Sequence, residues 1–420
     1  MVYGGWVKSC INKQTATKVC CKSRRILMQS FKTFLKEEAE ADDGKLKHIH
    51  HAEDRPLFHG IKGFEHAKGA LTQAHEHMKS GSNSSALTMK YDGSPAVVFG
   101  HHPETGKFFV ASKSAFNKTP KINYTHNDII KNHGHAPGLV EKLHAALNHL
   151  KKVAPKTGVY QGDIMHSGTD VEEKKEGKAS FTPNTITYTA HGEEADKIKN
   201  SKVGIVTHTQ YHGKNITDMK SDSHPDLHNF KQHPDVWQKS PNHDTKELHY
   251  SDKAQSEFMG HMKAAQDIHD KHPEMYKHIH PEHSGEAGHL DTYINHTVRT
   301  GDEPSVEGLK KHIADKSSKE VSKLKTPAAQ AKKQSIAKSH ADWIDNNKSH
   351  YANLLKMHSH LQKAKNTLVD TLQQHEGGLE HHIDGKRTGP EGFVVNHAGE
   401  PTKLVNRAEF ARANLLKVRK

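Results

Sequence analysis

The chain has 420 residues, with 61 Lys and Arg against 49 Asp and Glu, a formal charge of +12 with histidine neutral. That length suits one large domain or two to three ordinary ones, the basic balance suits a polyanionic partner such as nucleic acid, and a hydrophobic share of 33% implies long solvated helices or loops. No apolar run approaches the ~20 residues that span a bilayer, and the three cysteines (Cys10, Cys20, Cys21) all fall near the start, which excludes a disulfide-stapled or cysteine-zinc core.

In chain order, residues 1–27 are basic, lack the apolar core of a signal peptide, and read as a disordered or spurious extension ahead of Met28. Residues 28–85 read as a helical segment ending in the loop "SGSNSS" (80–85). Phe31, Phe34 and Leu35 share one face, and Phe64, Ala67, Leu71, Ala74 and Met78 recur at three-to-four spacing. Strands follow at 86–90, 96–100 and 107–113, separated by turn signals, and together they read as an antiparallel meander. Residues 137–153 form an amphipathic helix with Leu139, Leu143, Leu147 and Leu150 on its stripe. Residues 158–165, 185–190 and 202–212 read as strands again.

From 214 to 385 the chain is polar, rich in His and Lys, and largely helical by pattern. Tyr351, Leu354, Leu355, His358, Leu361, Leu368 and Leu372 make one good apolar stripe near its end. Residues 308–338 hold nine lysines and two acids, either a solvated helix face or a nucleic-acid contact surface. Strand signals return at 389 as a hairpin. A helical block is thus inserted between two parts, 86–213 and 386–420, of one β-rich domain. The 40 histidines include "HIHH" (48–51), "HGH" (133–135) and "HSH" (358–360), which look like metal-site fragments. Their spread over polar helical positions favours a solvated histidine-rich surface that charges near pH 6.

The stretch "LTMKYDGSPAVVFG" (87–100) raises a chemical question. A lysine amine attacks a nucleotide's α-phosphate only when deprotonated, and burial or a neighbouring cation favours that state. The reaction also needs a carboxylate-bound divalent metal to neutralise phosphate charge, and a glycine beside the nucleophile permits close approach. Lys90, Asp92 and Gly93 could supply the first and last of these. Taken singly, Lys90 fits a strand-edge gatekeeper, Glu391 a turn acid, and Lys403 an edge-strand lysine.

Five segments in order point further. "KYDGS" (90–94) resembles the K-x-D-G nucleophile motif of the covalent nucleotidyltransferase superfamily, which comprises ATP-dependent DNA ligases, RNA ligases and mRNA capping enzymes. "VASKSAFNK" (110–118), "VYQGDIM" (159–165), "EGFVV" (391–395) and "TKLVNR" (402–407) resemble the four motifs that follow it, the third in a form closer to RNA ligases. The resemblance covers 86–213 and 386–410. It implies an α+β fold, an antiparallel-sheet nucleotidyltransferase (adenylation) domain with N-terminal helices and a large helical insertion. It also implies an ATP-dependent RNA ligase-like enzyme that forms a lysyl-AMP phosphoramidate at Lys90 and passes AMP to a nucleic-acid 5′-phosphate, RNA ahead of DNA.

By position, Asp92 and Gly93 belong to the nucleotide pocket and Lys113 would contact ribose or phosphate. Asp163 would bind the ribose or help hold Mg²⁺ or Mn²⁺. Glu391 would be a metal carboxylate, and Lys403 the cation at the α-phosphate that also lowers the pKa of Lys90. Phe181, Tyr188 and Tyr211 are candidates to stack on the purine. Three positions depart from the pattern: Lys113 stands where Arg is common, Asp163 where Glu is usual, and Val405 where the fifth motif carries a second lysine. The thirteen residues after Arg407 are too few for the C-terminal module of ligases, so either the helical block replaces it or the protein stops at nucleotide transfer. "KLKHIHHAEDRPLFHGIKGFEHA" is similar to segments of tailed-phage proteins, and "FKTFLKEEAE" to short head-targeting N-termini of phage internal proteins. That places the protein in the cytoplasm of an infected bacterium or in a virion head. It also supports an alternative reading, a catalytically degenerate fold that holds nucleic acid. No membrane association is expected.

Overall fold

A computed structural model describes residues 49–407 apart from 83, 85, 175–176 and 279–283. The expectations for residues 1–27 and for Phe31, Phe34 and Leu35 lie outside the described residues. The architecture is α+β. The first long helix, α1 (Arg55–Ser80), carries Pro56 in its first turn, where the missing N–H costs nothing. It is broken at Gly60 (φ 56°) and closed by Gly81 in the left-handed region. Its expected stripe, Phe64 to Met78, is buried.

The strands form three sheets. β1 (Leu87–Lys90), β13 (Gly392–His397) and β14 (Glu400–Leu404) make the smallest, in the order β1-β13-β14. A second contains β2 (Ala96–His101), β3 (Phe108–Ala111), β4 (Val159–Ser167), β8 (Val203–His212), β9 (Lys220–Asp222) and β10 (Val236–Lys239), with main order β10-β8-β4-β2-β3 and β9 paired to β8. The third has β5 (Glu172–Lys174), β6 (Lys178–Phe181), β7 (Thr187–Ala190), β11 (Glu380–Ile383) and β12 (Lys386–Thr388), ordered β12-β11-β7-β6-β5. Every pairing is antiparallel except β8 with β10.

One expectation is corrected here. β2 and β3 are hairpin partners, but β1 does not join their meander. It pairs with β13, far along the chain, with Lys90 opposite Gly392. The Asp-Gly-Ser-Pro segment is therefore a crossing from one sheet to another, and it brings two distant stretches of sequence side by side.

Between these strands lie α2 (His126–His133), α3 (Pro137–His149) and α4 (Gly192–Asn200). Leu143, Leu147 and Leu150 of the expected stripe are buried where the helix meets β3, β4 and β8, with Leu139 partly buried. The helical block consists of α5 (Asp252–Lys271), α6 (Ser284–Thr300), α7 (Val306–Val321), α8 (Pro327–Asn346) and α9 (Lys348–Leu372). Within the 214–385 stretch read as helical, β9 and β10 on one side and β11 on the other belong to the sheets. All seven residues of the α9 stripe are buried, and one hydrophobic cluster runs through α1, α5, α9 and the strands β1, β13 and β14.

A buried ionic knot adds to that cluster. Lys365 of α9 donates to Glu53 at 2.5 Å with both side chains fully buried. Asp54 accepts from His358 Nε2 at 2.9 Å and from Arg407. It ties α9 to the chain just beyond β14. The histidines also differ from the solvated surface expected of them: His166, His243, His358 and His381 are buried in the core. A neutral imidazole is a flat, largely apolar ring, and burial lowers the pKa of His166, His243 and His381.

Candidate active site

Tyr91 of the crossing, with β1, β13 and β14 of the smallest sheet and β4 and β8 of the second, lines a half-open cavity of about 250 Å³. Lys90 ends β1, Asp163 comes from β4, Lys403 from β14, and Lys113 opens a short 3₁₀ turn after β3; all four line the cavity. Glu391, one residue before β13, reaches Lys90 with Oε2 at 2.5 Å from Nζ. Five of the sequence-predicted residues thus meet within one site, drawn from segments up to three hundred residues apart. Gly93 explains how closely the walls approach. A Cβ there would lie 2.5 Å from Asp163 Cβ and 2.9 Å from Met165 Sδ, so any side chain would push β4 away.

Asp92 has a different place. It is buried outside the cavity lining, and its carboxylate accepts from Asn184 Nδ2 and from the backbone N–H groups of Thr185 and Ile186 at 2.7–2.9 Å. Its own N–H donates to the Tyr188 hydroxyl at 2.7 Å. Asp92 therefore anchors the crossing segment to the five-stranded sheet.

The charges are arranged asymmetrically. Burial opposes the charge on Lys90, yet the Glu391 carboxylate, with Asp163 and Asp92 behind it, holds the ammonium protonated and raises its pKa. Burial pushes Glu391 up. Lys403 moves the other way: burial and the neighbouring Lys90 cation lower it. The expected depression of the Lys90 pKa by Lys403 is therefore not the state of this site, because a carboxylate sits on Lys90 while Lys403 shares the cavity with a like charge.

The three aromatic candidates are core residues. Tyr188 stacks on Phe181 at 5.5 Å inside the five-stranded sheet. Tyr211 packs against Phe116 and donates to Gln161 Oε1 at 2.8 Å. None of the three lines the cavity, whose rings come from Tyr91 and His208. Sequence reading missed His208, Gln161 and Ser223. Gln161 was legible in principle, since it shares the face of β4 with Asp163 two residues on. His208 was not. Gln161 pairs with Thr209 and Gly162 with Thr207, so His208 is the extra residue of a β-bulge, a device that re-aims a side chain. Its Nε2 lies 3.5 Å from Asp163 Oδ1, and its Nδ1 lies 2.8 Å from Thr209 Oγ1.

Among the described residues no group of three or more His, Cys, Asp or Glu side chains is arranged to hold a metal ion, and no helix is long and apolar enough to cross a membrane. An α+β scaffold with a cationic cavity at the junction of its sheets is the class these features define. The chain matches DUF6267, a family of unknown function, over residues 45–419, and belongs to that family. No curated protein and no solved structure matches it.

Proposed function

We propose that the protein is an ATP-dependent nucleotidyltransferase of RNA ligase type, with Lys90 as the nucleophile. The observation that carries this reading is the convergence of Lys90, Lys113, Asp163 and Lys403 on one cavity, with Glu391 on Lys90. Lys90 Nζ, an ammonium in the resting site, first gives up one proton to solvent; the free amine then forms a bond to the α-phosphorus while the bond to pyrophosphate breaks, and a second proton leaves the phosphoramidate nitrogen to solvent. Lys403 and Lys113 offset charge on the phosphates as it shifts to the leaving group.

In this reading a divalent cation of the Mg²⁺ or Mn²⁺ kind, commonly held by one or two carboxylates together with substrate phosphates, would be held by Glu391 and Asp163. Bound there, it would neutralise phosphate charge and take the carboxylate from Lys90, which removes what keeps the amine protonated. AMP then passes to a nucleic-acid 5′-phosphate, RNA ahead of DNA, in an infected bacterium or a phage head.

A second reading, a degenerate fold that binds nucleic acid without transfer, is favoured by Val405. It stands where the resemblance has a second lysine, and it is buried in the core. Incubation with α-labelled ATP and Mg²⁺ separates the two. The first reading expects label on the denatured chain that survives alkali and is lost in acid, as a P–N bond requires, that pyrophosphate removes from the native chain, and that is absent from Lys90→Ala; an unlabelled chain leaves the second.

A further inference from the structure

The helical block carries a feature that the cavity does not use. Helices α7 and α8 form an antiparallel hairpin whose ion pair between Glu320 and Lys333, at 2.5 Å, sets the register. The connecting residues and the turns next to them lie on the far side of that pair. There Lys323, Lys325 and Lys332 are exposed, with Lys319 beside the pair and Lys338 further along α8 also exposed. None of these five makes an ion pair among the described residues.

The acids of the hairpin are mostly elsewhere. Glu307 and Asp345 sit at its base, where they pair with Lys348 and Lys310 at 2.6 Å. From 316 to 338 there are seven lysines and one acid.

Packing offers no reason for this arrangement. Helix α8 buries only Ile344 of its 20 residues, so its outer turns contribute little to the core. Exposed hydroxyls at Ser318 and Thr326 lie among the lysines. Interspersed ammonium and hydroxyl donors on a narrow projecting rod suit a chain of phosphates, which offers one charge per nucleotide and acceptor oxygens along its length.

We propose that the outer half of the α7–α8 hairpin is the docking surface for the backbone of the single-stranded nucleic acid that accepts AMP. This rests on the nucleotidyltransferase reading. The lysines supply affinity and little sequence preference, because backbone contacts position without reading bases.

Fluorescence anisotropy of the full chain with a labelled, 5′-phosphorylated 20-nucleotide RNA, across about 50–300 mM salt, tests the surface without any chemistry. Substituting Lys319, Lys323, Lys325 and Lys332 together with Gln is expected to weaken binding at least tenfold at the lowest salt. The slope of log K against log salt should fall by about 3, given roughly 0.7 per phosphate contact on a single strand. Label transfer from α-labelled ATP to Lys90 should be unchanged. A control set of exposed lysines elsewhere, Lys107, Lys151, Lys253 and Lys263 each to Gln, should change binding less than twofold. The proposal is overturned if the two sets weaken binding equally, if the slope does not move, or if anionic vesicles compete as well as unlabelled RNA of equal charge. Loss of Lys90 labelling in the wild-type chain, with hairpin-dependent RNA binding intact, would sink the nucleotidyltransferase reading instead.

Discussion

Two lysine–glutamate pairs in this molecule have the same donor–acceptor distance, 2.5 Å, and opposite surroundings. Lys365 and Glu53 are at 0% exposure in the core, whereas Lys90 and Glu391 keep 29% and 13%, and Lys90 lines the cavity. Distance alone would rank them equal. What separates them is exchange: a ligand or ion can reach the pair on the cavity and replace one partner, while the buried pair can only be intact or broken. Other buried ions crowd the Lys365 pair, with Asp54 and Arg407 in the same knot. Beside the Lys90 pair stands Lys403, a second cation that lines the cavity. The first pair is built to hold helix α9 against the end of β14, the second to be taken apart.

That contrast can be broken by measurement. Lys365→Ala leaves Glu53 charged and buried, and is expected to lower the unfolding free energy by about 3–5 kcal/mol. Lys90→Ala should cost only about 1 kcal/mol or less, because solvent and Lys403 remain beside Glu391. Urea denaturation of the two variants side by side decides; equal losses would mean that the cavity pair is structural too. Replacing both partners of the buried pair, with Glu53→Gln and Lys365→Met together, should recover most of the loss.

The next effect is steric. Gly93→Ala is expected to cost about 1–3 kcal/mol, since its Cβ must displace the wall formed by Asp163 and Met165. The same displacement widens the site, so nucleotide labelling should fall with it. A Gly93→Ala chain of wild-type stability would show that the close approach is not needed.

The pH dependence has opposite signs in the two regions. In the core, burial presses His166, His243 and His381 down to about 4. The unfolded chain takes up those protons from about pH 6.5. Between about 6.5 and 4 it therefore holds more protons than the folded chain, and stability falls as pH is lowered. His381→Gln should flatten that loss by about 1.4 kcal/mol per pH unit. In the cavity Glu391 has a raised pKa, so the folded chain binds its proton more tightly than the unfolded one. Acidification through its range adds stability, and Glu391→Gln should steepen the acid loss. Denaturation curves from pH 7 to 4 that shift in the same direction for both variants would erase the distinction.

Much of this molecule was legible as local pattern. The stripes of α1 and α9 and the β13–β14 hairpin follow from periodicity, because a helix or strand repeats its buried positions at a fixed interval whatever it packs against. The polar half of the helical block followed from composition. The site residues Lys90, Lys113, Asp163, Glu391 and Lys403 could be named from short motifs, each tied to its own strand or turn.

Tertiary structure alone decided the partners. Nothing local says that β1 leaves β2 for β13, since a strand's edge is satisfied equally by any neighbour of matching pattern. That choice puts Glu391 on Lys90, and so sets the amine's charge. Periodicity could not separate Asp92, which holds a loop, from Asp163, which faces the cavity. It could not find His208, whose direction comes from a bulge measured against the opposite strand. Nor could composition divide forty histidines into solvated and core, because burial is a property of what packs around a ring. Local pattern carried most of the elements and the chemistry each one bears; the pairing of distant strands decided which of those side chains meet, and in what charge state.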